Sequence, residues 1–194
     1  MEEEKLPAEK STVKGEIYDW VQSIISALVA GILVFTFVAR VVRVDGTSML
    51  QTLQDNDLVI AWSLGYTPKN GDIIVFETES YKRGPLVKRV IATGGQTIDI
   101  DFDAGIVYVD GEALEEDYTN TLTTRREDFS GPVTVPEGYM FCMGDNRNGS
   151  KDSRDNEIGL VDIRCTVGRV FFILMPGLSD GDNQRHWNRI GIVK

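Results

Sequence analysis

WVQSIISALVAGILVFTFVA, residues 20–39, runs without a charged side chain. Twenty residues of helix at about 1.5 Å each reach roughly 30 Å, the thickness of a bilayer core. Trp20 stands at one end and Arg40 and Arg43 at the other, which suits anchoring at two interfaces. A cleavable signal peptide has a shorter apolar stretch and small residues at a cut site just after it. Here Phe37-Val38-Ala39 opens on a bulky ring. A core helix usually shows a polar face, and only Gln22, Ser23, Ser26 and Thr36 interrupt this one. The segment therefore reads as a retained transmembrane anchor. Ahead of it, residues 1–19 form a short, mostly polar tail of mixed charge, with Pro7 as a breaker. Lys5, Lys10 and Lys14 precede the span and two arginines follow closely, so charge alone does not orient it.

After Arg43 the texture changes to short apolar runs rich in Val and Ile. Examples are DLVIAW (57–62), DIIVF (72–76), PLVKRVIA (85–92), QTIDI (96–100), GIVYVDG (105–111), YMFCMG (139–144) and GRVFFILMP (168–176). Turn signals separate them, among them Pro68-Lys69-Asn70-Gly71, Gly94-Gly95 and Pro136-Glu137-Gly138. Many closely spaced strands without helical repeats between them predict a mostly β domain built on an antiparallel sheet, residues 40–194. Asp110-Gly111 between two strand-like runs is a hairpin signal. The polar stretch 112–129 is rich in Glu, Asp and Thr. It reads as an excursion on the surface, so that about 102–135 form a small extension or flap.

Bulk properties exclude several functions. A formal net charge of -10 over 194 residues argues against nucleic acid as a partner, because neutralising phosphate needs a basic surface. Cys142 and Cys165 lack metal-ligand spacing; they form either one bridge or two buried thiols in neighbouring strands. With His186 the single histidine, any Ser-His-Asp triad or histidine-rich metal site must pass through it.

Three separated segments carry the polar chemistry: DGTSMLQTL (45–53), VKRVI (87–91) and GDNRNGSKDSR (144–154). Each alone has a bland reading. Ser48 is a capping hydroxyl, Lys88 points to solvent by strand alternation, and residues 144–154 form a long polar turn. A calcium loop is discounted, since the Asp and Asn positions miss its spacing. Asn148-Gly149-Ser150 matches a glycosylation sequon, a pattern short enough to arise by chance.

Together the segments resemble, in order and spacing, the motif boxes of bacterial type I signal peptidases, the leader peptidases with a serine–lysine dyad. These are a Ser-Met box after the span, a Gly-Asp strand (Gly71 to Phe76), a Lys-Arg strand and a GDNRxxSxDSR box. The resemblance also takes in IVYVDGEALEEDY and VTVPEGYMF, and so covers the chain from Trp20 to Pro176. It departs at Gln51, where the family usually has proline. It departs again at Gly46, where some members carry a serine that lends a second oxyanion contact, and at Gly94-Gly95, in place of a Gly-Leu-Pro-Gly turn.

The resemblance implies a membrane-bound serine endopeptidase that removes signal peptides from exported preproteins after small residues, Ala-X-Ala. Ser48 would be the nucleophile, Lys88 its general base, and Ser150 the hydroxyl that orients Lys88. A serine hydroxyl needs a base to take its proton, and a lysine serves only when neutral. Its pKa must fall from near 10.4 by about two to three units, roughly 3–4 kcal/mol. Burial among Leu86, Val87, Val90 and Ile91 would supply that. The backbone N–H of Ser48 is read as the main oxyanion donor. Positions matching the family's pocket walls are Val44, Met49, Leu53, Val59, Val75 and Val87, apolar and mostly β-branched, which suits a shallow slot for alanine. Arg89, Asp145, Arg147, Asp152 and Arg154 read as an ion-pair frame for the loop. Ser48 lies nine residues beyond Ala39, at most about 30 Å even if fully extended, so the nucleophile sits close to the membrane edge. Trp62, Leu64 and Tyr66 are read equally as interface dippers or as core residues. The resemblance further implies the cytoplasmic membrane, one pass, the tail inside and the β domain outside. Signal peptides, the lipid bilayer and the secretion translocon are its expected partners, with no metal or organic cofactor.

Rival readings are weaker on the residues. Self-cleaving repressors with a serine–lysine dyad carry a DNA-binding head and no span. Peptidases of the endoplasmic reticulum and archaea use histidine where Lys88 stands. A catalytically inactive, membrane-anchored module that binds signal peptides is the alternative that Gln51 and Gly46 keep open.

Overall fold

The computed structural model describes residues 13–179 and 184–193. The part of the predicted tail before residue 13 lies outside them. The chain divides into two units, one ending at Phe37 and the other starting at Val38.

The first unit holds one α-helix, α1 (Val13–Phe37). Its stretch Gly15–Thr36 is 22 residues long and apolar enough to cross a membrane, with no residue of its apolar window buried. Ile24 and Leu28 are 63% and 62% exposed. A helix serving a soluble core would hide such residues. Two hydroxyls in the span bond back to their own helix, Ser23 Oγ to the Asp19 carbonyl at 2.8 Å and Thr36 Oγ1 to the Ile32 carbonyl at 2.7 Å. These two donors are satisfied within the helix, as hydrocarbon requires. The predicted end at Ala39 is corrected: the helix stops at Phe37, and Ala39 is already in a strand opposite Trp62.

The second unit is antiparallel β throughout. Its strands are β1 (Ala39–Arg43), β2 (Leu58–Trp62), β3 (Ile73–Phe76), β4 (Leu86–Thr93), β5 (Thr97–Asp101), β6 (Ile106–Val109), β7 (Glu112–Ala113), β8 (Val133–Thr134), β9 (Tyr139–Met143), β10 (Val161–Asp162), β11 (Thr166–Met175) and β12 (Gly191–Ile192). The large sheet runs β1-β2-β11-β3-β4-β9-β10, with β12 on β11, and the small one runs β7-β6-β5-β8. Asp110 and Gly111 both have positive φ, 54° and 83°, and join β6 to β7 as a two-residue hairpin with Val109 opposite Glu112.

Strands β3 and β4 lie inside the large sheet and are covered on both faces, so their burial is continuous rather than alternating, Lys88 and Arg89 of β4 included. This overturns the solvent-facing reading of Lys88. Residues 87–92 of β4 are all buried, and Lys88 is 2% exposed opposite Ile74 of β3. The polar excursion 112–129 is likewise bound more tightly than its composition predicts. Phe129 stacks edge-on between Phe102 and Phe141, both at 5.9 Å between ring centres, and ties the small sheet to β9.

Candidate active site

Ser48 sits in the loop between β1 and β2, a turn anchored by Met49, which is 1% exposed within the core. Backbone bonds Leu50 N to Thr47 O (3.2 Å) and Leu53 N to Met49 O (2.9 Å) wind this loop tightly. The loop 144–154 clasps it from the other side. Asn146 donates its backbone N–H to the Ser48 carbonyl at 3.0 Å and its side-chain amide to the Thr47 carbonyl at 3.1 Å. Gly144 makes this approach feasible: a Cβ there would meet Ser150 Oγ at 2.2 Å and the Ser48 carbonyl at 2.4 Å.

Across the gap, Lys88 Nζ lies 2.8 Å from Ser48 Oγ and 3.0 Å from the Val87 carbonyl. Burial drives its pKa down to about 8, while the negative charges of Asp152 and Asp145 hold back a larger fall. Neither carboxylate pairs with the lysine. Asp152 is taken by Arg154 at 2.8 Å and by the Gly144 N–H at 3.0 Å. Asp145 receives Arg89 through two bonds of 2.9 and 2.7 Å, and Thr52 Oγ1 at 2.5 Å. Each buried acid thus has its own guanidinium, and the amine is left with the serine.

The predicted frame is assembled with partners that sequence reasoning missed. Arg147 pairs with Glu116, from the polar excursion, and also reaches Thr123 Oγ1 at 3.2 Å. Tyr118 lies beneath Arg89, whose guanidinium is 3.9 Å from the ring centre, with Arg147 5.7 Å away. Arg154 donates to the Arg147 carbonyl at 2.6 Å and closes the loop on itself. The only signal for Glu116 and Tyr118 was general: the buried arginine Arg147 needs a carboxylate, but composition does not say which of thirty acids supplies it. The sequon residue Asn148 is occupied structurally, its side-chain oxygen accepting from the Thr124 and Arg125 amides.

Two expectations differ in detail. Ser150 is buried beside Gly144, but its Oγ has no hydrogen-bond partner and does not reach the Lys88 amine. The lysine is aimed instead by the Val87 carbonyl and the serine itself. Of the six expected pocket walls, Val44 and Val87 line the cleft of about 180 Å³ that holds Ser48 and Lys88. Met49, Leu53, Val59 and Val75 belong to the same apolar cluster but lie fully buried behind it. Tyr81, Arg43 and Lys151 line the cleft as well and were not anticipated. The Ser48 N–H, the expected oxyanion donor, makes no hydrogen bond among the described residues, whereas the Gly46 N–H is taken by Asp55 at 2.8 Å. Cys142 and Cys165 are free thiols, the first buried in β9 and the second half-buried ahead of β11. Trp62 and Leu64 are exposed, 43% and 58%, while Tyr66 is half-buried and donates to Asp72 at 2.8 Å.

Comparison with known proteins places the chain in a class: it is a peptidase. More particularly, it belongs to the signal peptidases, since residues 17–175 match the family model described as signal peptidase, peptidase S26. Signal peptidase I of Bacillus licheniformis is 36% identical over 180 residues, 87% of this chain and 94% of that protein. The probable signal peptidase I-1 of Synechocystis sp. is 35% identical over 176 residues, 85% of this chain and 82% of its own. The crystal structure of a signal peptidase I from Enterococcus faecalis superposes with a TM-score of 0.45 at 30% identity, covering 54% of this chain and 97% of that one. The apolar helix α1 is consistent with membrane anchoring of such a peptidase.

Proposed function

We propose that this protein is a membrane-anchored serine endopeptidase that cuts signal peptides from exported preproteins after small residues, Ala-X-Ala, using Ser48 as nucleophile and Lys88 as general base. One observation carries the reading: the Lys88 amine, buried and lowered to about 8, stands 2.8 Å from Ser48 Oγ with no carboxylate partner among the described residues.

Neutral Lys88 takes the Ser48 proton as Oγ bonds to the scissile carbonyl carbon. The negative oxygen so formed is met by the unengaged Ser48 N–H. Collapse breaks the C–N bond, and the ammonium of Lys88 returns its proton to the leaving amine, which departs as the mature N-terminus. Water, deprotonated by the same amine, then attacks the ester, frees the signal peptide as a carboxylate and restores Ser48. Val44 and Val87 at the cleft wall suit small apolar side chains and offer no partner to a charge. In this reading α1 crosses the cytoplasmic membrane once with the N-terminus inside. The β unit then faces out, where it meets the bilayer surface, the signal peptides and the secretion translocon.

The test is cleavage of a purified preprotein with an Ala-X-Ala site, in detergent or vesicles, by wild type, Ser48→Ala and Lys88→Ala. Cutting at the expected bond by wild type alone is the expected result. Binding without cutting would turn the protein into a signal-peptide-binding module, and efficient cutting by Lys88→Ala would remove Lys88 as the base.

A further inference from the structure

The end of the chain comes back to the nucleophile loop. The short turn Trp187–Arg189 and strand β12 are stitched to β11, with Ile192 opposite Phe172 and the Val193 N–H on the Phe171 carbonyl at 2.9 Å. That path sets the guanidinium of Arg189, 17% exposed, against the wholly buried carboxylate of Asp57, with bonds of 2.9 and 2.7 Å. The same guanidinium donates to the Thr52 carbonyl at 3.2 Å and to Gln54 Oε1 at 3.0 Å.

Thr52, Gln54 and Asp57 close the loop that carries Ser48. Asp57 accepts the Gln54 N–H at 2.8 Å and the Gly177 N–H at 2.6 Å, and its carbonyl receives the Val44 N–H at 2.8 Å. Both stems of the loop therefore meet at one buried acid. Thr52 is held twice, its carbonyl by Arg189 and its hydroxyl by Asp145, the acid that grips Arg89 beside Lys88. A shift of Arg189 thus has a short covalent and hydrogen-bonded path to the Ser48–Lys88 distance. A structural clamp for the C-terminus alone would not need the loop's own carbonyl and amide groups.

From this geometry we infer that Arg189 is a positioning residue for Ser48: it clamps the far limb of the nucleophile loop through Thr52, Gln54 and Asp57 and so sets the distance between hydroxyl and amine. The inference rests on the proposed role of Ser48. A lysine in its place keeps the charge on Asp57 but lacks the planar fork that reaches four acceptors at once.

The test uses the full chain in detergent and a preprotein with an Ala-X-Ala site. Arg189→Ala and Arg189→Lys should lower kcat about ten- to hundredfold, the effect of misplacing a reacting group, with KM within about twofold. Guanidinium at sub-denaturing concentration should restore kcat of Arg189→Ala saturably, and methylammonium should not. Arg185→Ala removes another C-terminal contact, Arg185 to the Pro176 carbonyl at 2.6 Å, and should leave kcat unchanged. Should Arg189→Ala fail to fold, Arg189→Lys decides. Wild-type kcat in a folded Arg189 variant overturns the inference. So does an equal loss in Arg185→Ala, or a melting temperature that rises with guanidinium while kcat stays low. Ser48→Ala runs alongside: if it still cuts, the nucleophile assignment has failed, whereas an inactive Ser48→Ala beside a fully active Arg189→Lys sinks the clamp alone.

Discussion

Replacing Lys88 by methionine should stabilise the protein near neutral pH while abolishing its activity. Lys88 is 2% exposed, and burial lowers its pKa from 10.5 to about 8. The difference of about 2.5 corresponds to about 3 kcal/mol at 1.36 kcal/mol for each pH unit. The sign follows from proton linkage. Below about pH 8 both folded and unfolded lysine carry the proton, and the folded state bears the full cost of a buried charge. As pH rises from about 8 to 10.5 the folded form gives up its proton first, and the cost disappears. Lys88→Met has nearly the same length and nothing to titrate. It also loses the bonds to Ser48 Oγ and the Val87 carbonyl, an offset that does not vary with pH. The stability difference, variant minus wild type, should therefore be about 3 kcal/mol more favourable to the variant at pH 7 than at pH 10.5. Urea unfolding followed by tryptophan fluorescence across that range, in one detergent, measures it, and titrations common to both proteins cancel. A difference that stays flat with pH, or one that grows as pH rises, would refute the argument that desolvation tunes this amine.

Other outcomes follow from the same contacts. In wild type, kcat/KM for preprotein cleavage should climb with pH and level off above about 8, as Lys88 loses its proton; a plateau already reached at pH 6 would contradict the buried-amine account. Gly144→Ala pushes a methyl group into Ser150 Oγ and the Ser48 carbonyl, and should cost about 1–3 kcal/mol in urea unfolding and most of the activity. Asp145→Ala strands the buried guanidinium of Arg89 and should destabilise by about 3–5 kcal/mol, read as a lower unfolding midpoint. Glu116→Ala should likewise lower the midpoint, by leaving Arg147 unpaired at 0% side-chain exposure; an unchanged midpoint would mean water reaches that arginine.

Much of this architecture is legible in the chain because it rests on local rules. An uncharged run of bilayer length can satisfy its backbone only as a helix, and α1 is one, displaced by a few residues because hydropathy does not mark where pairing with Trp62 begins. Val- and Ile-rich runs between turn residues become strands, and Asp110-Gly111 becomes a hairpin, since few residues accept positive φ. The motif boxes pointed to Ser48 and Lys88 without any knowledge of where they meet.

What the tertiary structure alone decided is burial and partnership. Sequence determined that Lys88 lies in an apolar strand; only the covering of β4 on both faces made it a buried amine, and only the assignment of Asp145 to Arg89 and Asp152 to Arg154 left that amine facing a serine. Likewise nothing local joins Arg147 to Glu116, 31 residues earlier, or Arg189 to Asp57, 132 residues earlier. The physical reason is that propensity and hydropathy act over a few neighbouring residues, whereas desolvation and ion pairing depend on distances set by how distant strands pack.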